Sequence, residues 1–372
     1  MNPFRPSASP TPSGPPLQDL IRALEAARGG THVIAYVTST RDQFESPMAM
    51  DAIPIIHEHL RALPGTAADR RIDLFLHSNG GDSAVPWRLV TLIREFATRF
   101  SVLVPHRAFS AATLTALGAD EVVMHPMGML GPIDPTVTTP YNPMNPTNPG
   151  QRLGISVEDV AAYIALVRED IGVQHEAEVV QTFNALTANV HPLALGTVKR
   201  SSGQARLLGE RLLRGRHGNE IDDASIADIV ERLTSRLYHH GHPINRREAR
   251  EELNLSFVVD APVEVEEQMW ALYSAYRDEM ELDSAFQPFV EATDGVPPPL
   301  PPAPGEVGRD GTPSQGFMVH ERMLEPAVSV SVDSGRRSDR YMIQLDAVIV
   351  RQWSGESRID LSVWQSGWKR SL

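Results

Sequence analysis

The chain has 372 residues, 41% of them hydrophobic, and a formal net charge of −13. That length exceeds one ordinary domain and the apolar share suffices for a sizeable core, so a main domain with an appendage is expected. The acidic balance argues against nucleic acid as a partner, and the lack of any cysteine removes disulfides, a thiolate nucleophile and cysteine metal sites.

Residues 1–16 are rich in Pro and Ser and read as a disordered segment. They lack the apolar centre of a signal peptide, and no run in the chain approaches the ~20 apolar residues of a membrane helix. A cytoplasmic protein without an integral membrane segment is therefore expected. The main domain, 17–290, opens with HVIAYV (His32 to Val37) and an amphipathic stretch from Met48 to Leu63. RIDLFLH (Arg71 to His77) ends in SNGG and leads into a helical pattern from Ser83 to Arg99. SVLVP (Ser101 to Pro105), HRAFSAATLTALGA and EVVM (Glu121 to Met124) complete the alternation. Such βα units predict an α/β fold with a mainly parallel sheet. From Ser156 the pattern turns helical: 157–171, 176–186, 193–213, 224–238, 246–253 and 263–280. A Pro-rich linker is placed at 291–316 and a small β-rich C-terminal module at 317–372. Within that module the alternation from Ala327 onward predicts a meander of about three strands.

Two short segments carry chemistry. In His77-Ser78-Asn79-Gly80-Gly81-Asp82, two glycines after an apolar strand allow a tight turn with exposed N–H groups. In Ala108-Phe109-Ser110-Ala111-Ala112, a serine opens a helix of small residues, where the helix N-terminus favours a developing oxyanion. A serine there can also be a plain helix cap, and a Gly-Gly turn an ordinary βα connection. About thirty residues apart at one sheet edge, the two together offer a nucleophile, Ser110, and oxyanion donors from Gly80, Gly81 and Ala111.

These segments resemble a known superfamily. SNGGD is similar to the oxyanion turn of ClpP and signal-peptide-peptidase A, AFSAATLTALGADEVVM to their nucleophile segment, and INRREAREELNLSFVVD to their later helix-strand segment. GADEVVMHPMGMLGPIDP, VHPLALG and YHHGHPINRREA resemble the serine dehydrogenase proteinase family, a distant relative of ClpP, over roughly Asp19 to Met280. The resemblance implies a ClpP/crotonase-like fold, an ATP-independent serine peptidase acting on a peptide or protein, no cofactor, no metal, and a homo-oligomer. It also implies Ser, Asp and His in that chain order: Ser110 as nucleophile, Asp134 of Leu130-Gly131-Pro132-Ile133-Asp134-Pro135 as orienting acid, and a downstream histidine as base. His191 of Asn189-Val190-His191-Pro192 is the first choice, His240 the second and Lys199 the third; every one of them can equally be a surface or cap residue. Two other readings stay open: a catalytically inactive scaffold that binds partner proteins, and a crotonase-type acyl-CoA enzyme using Asp134.

Overall fold

Long runs of β-branched and aliphatic residues leave no face for water, so their strands belong in the middle of a covered sheet. The computed structural model describes residues 15–146, 148–218, 221–236, 241–294, 317–352 and 357–371. The segment read as disordered, 1–16, lies outside the described residues but for its last two, and the linker at 291–316 but for its first four. The chain divides into two units, one of Ala23–Ile34 with Pro47–Trp270, the other of Met1–Arg22, Ala35–Ser46 and Ala271–Leu372.

The elements open with α1 (Leu17–Ala27), β1 (His32–Thr38), α2 (Ala52–Ala62), β2 (Arg71–His77) and α3 (Ala84–Arg94). β3 (Arg99–Val104), β4 (Arg107–Ala108), α4 (Ala111–Leu117), β5 (Glu121–Met124) and β6 (Met129–Leu130) follow. In the first unit β2, β3, β5 and the strand Val258–Asp260 pair in parallel, with Leu74 beside Val102, Val102 beside Val122, and Val122 beside Val258. All of β2 after Arg71 is buried. This is the α/β architecture with a mainly parallel sheet that the alternation predicts. The sheet's charged anchor is Asp73, buried in β2; Arg28, just after α1, donates to it at 2.7 Å and reaches Glu121 of β5 at 2.9 Å. A carboxylate in that position needs such a partner, because burial alone disfavours its charge.

Every residue of α4 is buried. The helical additions are α5 (Val157–Ala165) with a π-helical turn to Asp170, α6 (Glu176–Asn189), α7 (Pro192–Arg214), and α8 (Asp223–Glu231) with a π-helical turn to Arg236. Helices Arg246–Glu251, Val263–Glu279 and Pro288–Thr293 follow. Gly209 of α7 lets that helix press on α4 and α8: a methyl group there would stand 3.8 Å from Leu114 and 3.2 Å from Val230. Among the described residues no helix is long and apolar enough to cross a membrane.

The second unit contains the C-terminal strands, of which four are present where the alternation predicts about three. Arg337–Gln352 is long enough to pair antiparallel with Ala327–Ser334 along its first half and with Phe317–Met323 along its second. Ser357–Ser371 runs along its other side. Phe317–Met323 escapes the sequence pattern because His320, Glu321 and Arg322 interrupt its alternation. Asp333 is fully buried there and is matched by Arg340 at 2.7 Å and the Tyr276 hydroxyl at 2.7 Å; Arg340 also meets Glu279. The three partners keep that carboxylate satisfied in a low-dielectric interior.

Candidate active site

The site is assembled where three chain segments run side by side at the ends of β2, β4 and β6. Ser78 bridges Ala108 in parallel, its N–H donating to Arg107 O at 2.9 Å and its carbonyl accepting from Phe109 N–H at 3.0 Å. β4 in turn pairs in parallel with β6, Ala108 beside Leu130. The SNGG turn, the serine segment and the LGPID segment are thus neighbours. Phe109 lies over Gly131, where a methyl group would come within 3.0 Å of its ring.

Ser110 caps α4 only by position, since its side chain accepts no cap hydrogen bond. Its backbone sits at φ 51°, ψ −111°, a region that L side chains rarely occupy. Such strain persists only where the surrounding structure holds the residue in place.

Gly80 explains itself sterically. Its φ is 104°, and a Cβ on it would stand 2.7 Å from Phe109 O, 2.8 Å from Ser110 Cβ and 3.0 Å from Ala111 N. No other residue fits beside the serine. Gly81 is equally constrained, with 2.4 Å between an added Cβ and Met48 O. The N–H of Gly80 is already given to Ser78 Oγ at 3.0 Å. The N–H groups of Gly81 and Ala111 have no acceptor among the described residues.

Thr113, which the sequence patterns do not single out, ties the segments together. Its hydroxyl donates toward Ala108 O at 2.7 Å and Gly131 O at 2.9 Å, and accepts from Gly131 N–H at 3.0 Å. Asp134, three residues on, is buried. His77 is buried beside the same turn, accepts from Arg107 N–H through Nδ1 at 3.3 Å and stacks on His106 at 5.7 Å. Burial, reinforced by the nearby His106 and Arg107, pushes His77 down to about 3. It is too weak a base for proton abstraction near neutral pH.

The expected bases fare differently. His191 is the N-cap of α7, accepts from Leu193 N–H through Nδ1 at 3.2 Å and stacks on Tyr141 at 4.9 Å. About 27 Å of helix separates it from Gly209, which packs against Leu114 one turn from Ser110. The structure therefore does not bring His191 to Ser110. Lys199 is exposed on α7. His240 lies outside the described residues, between Arg236 and Gly241. Leu233 O accepts from Ile133 N–H at 2.9 Å, and Ile244 pairs with Leu130.

Residues 18–145 match the family model described as ClpP-like SDH-type serine proteinase. Over that segment the chain is similar to this family. The match bears out the family reached from the sequence and takes in Gly80, Gly81, Ser110, Ala111 and Asp134. Two curated relatives, both from Methanocaldococcus jannaschii, carry the names uncharacterized protein MJ1495 and uncharacterized protein MJ0137. The first is 33% identical over 122 residues, which is 31% of this chain and 40% of the relative. The second is 26% identical over 221 residues, 59% of this chain and 63% of the relative. The chain thus spans less than two thirds of either relative's length.

Proposed function

We propose that the protein is a serine peptidase in which Ser110 attacks the carbonyl carbon of a peptide bond. The observation that carries this reading is the pairing of Gly80 with Ser110: a glycine at φ 104° whose added Cβ would collide with Phe109 O, Ser110 Cβ and Ala111 N, beside a serine held at a strained φ. Attack moves the carbonyl electrons onto oxygen, and the N–H groups of Gly81 and Ala111 are the donors to that oxyanion. A base accepts the hydroxyl proton and returns it to the leaving amine as the C–N bond breaks; water then hydrolyses the acyl-enzyme by the same route. His240 is our choice of base. It is the histidine that the resemblance offers after His191, which the length of α7 holds away from Ser110. Asp134, on the segment that follows β6, is the orienting acid.

The test is labelling by a fluorophosphonate probe together with release of fluorescence from a labelled unfolded protein. Wild type and His191→Gln are expected to react, whereas Ser110→Ala is expected to do neither and His240→Gln to lose most of both. Equal labelling of wild type and Ser110→Ala would remove the serine from the mechanism.

A further inference from the structure

Helix α6 poses a physical problem. Short helices hold together in proteins mainly through a packed apolar face, yet none of the fourteen residues of α6 is buried. Its exposed residues include Val180 (56%) and Phe183 (47%). With Glu176 they recur at steps of four and three, one stripe along the helix.

The next helix carries the reciprocal surface. On α7 the exposed positions 193, 196, 200, 203 and 207 follow the same heptad spacing and are Leu, Gly, Arg, Gly and Leu. Leu193 is 55% exposed and Leu207 46%. At Gly196 and Gly203 an added Cβ would meet nothing within 4 Å, so the stripe has hollows with open space above them. Charge divides the same way. α6 carries Glu176 and Glu178 with no Lys or Arg, whereas α7 carries Lys199, Arg200, Arg206, Arg211 and Arg214 against one acid, Glu210.

We propose that α6 of one copy of this chain docks antiparallel on α7 of a second copy. One register satisfies all of the features: Glu176 opposite Arg200, Val180 over the hollow at Gly196, and Phe183 against Leu193. Each copy carries both surfaces, so a two-fold pair or a closed ring repeats the same contact. The contact covers the exposed stripe of α6, alongside Val179, Thr182 and Leu186, which are half-buried against its own chain. It is independent of the hydrolase reading, because it concerns mass and not turnover.

Sedimentation equilibrium on the full-length protein tests it. Wild type is expected at a multiple of the 40.9 kDa chain. Phe183→Glu, Glu176→Arg and Arg200→Glu should each weaken association at least tenfold, with unchanged circular dichroism, since all three side chains are exposed. Glu176→Arg combined with Arg200→Glu should recover most of the loss. A monomeric wild type would overturn the proposal, as would undiminished association of Phe183→Glu and Arg200→Glu. Single variants that weaken association without recovery in the pair would overturn the register.

Discussion

A methyl group on Gly80 would stand 2.8 Å from Cβ of Ser110, closer than real side-chain carbons come. With φ at 104° as well, Gly80→Ala meets both strain and collision. We expect a loss of at least ~2 kcal/mol in stability and of probe labelling. Urea unfolding and labelling measure the two. A variant of wild-type stability that still labels would mean that the turn does not press on the serine.

Ser110 itself is held at φ 51°. Glycine occupies that region without strain, whereas alanine does not. Both Ser110→Gly and Ser110→Ala should be inactive, with the glycine variant the more stable by ~1 kcal/mol. A reversed order in urea midpoints would show that the conformation costs nothing.

The Thr113 hydroxyl serves two carbonyls and one amide in a fully buried place. Thr113→Val keeps the shape and leaves those groups without their partner, at a cost of about 1–3 kcal/mol. Thr113→Ser should restore stability and labelling rate together. Failure of serine to rescue would assign the effect to the missing methyl group instead.

His77 makes stability depend on pH. Its folded pKa is about 3, against an ordinary 6.5, so the unfolded chain binds the extra proton between those values. The contribution is complete above pH ~6.5 and declines as pH falls toward 3, with a limiting slope of ~1.4 kcal/mol per pH unit. Denaturation at pH 7 and pH 5 should show the decline, and His77→Asn, which keeps an acceptor for Arg107 N–H, should flatten it. An unchanged slope would place the titration elsewhere.

Much of this was legible in the sequence. HVIAYV and RIDLFLH are too uniformly apolar to be anything but covered strands, and the glycine and serine segments advertise themselves through local backbone needs. Thr113 and His77 do not, because their roles depend on which segment the fold lays beside them. Among 13 histidines, local sequence does not separate a cap from a proton acceptor, and only the length of α7 sets His191 apart. The fourth C-terminal strand escapes the sequence pattern for a related reason: Phe317–Met323 owes its state to the long partner Arg337–Gln352.

Met48 touches the glycine turn twice, giving its N–H to Gly80 O at 2.7 Å and taking that of Asp82 at 2.9 Å. Gly81 lies between those two clasps, so its amide is fixed by a chain segment that precedes the turn by some thirty residues. In the proposed reaction the oxyanion would find that dipole already oriented. The entropy of arranging it was settled when the chain folded, and none of it is charged to the ligand.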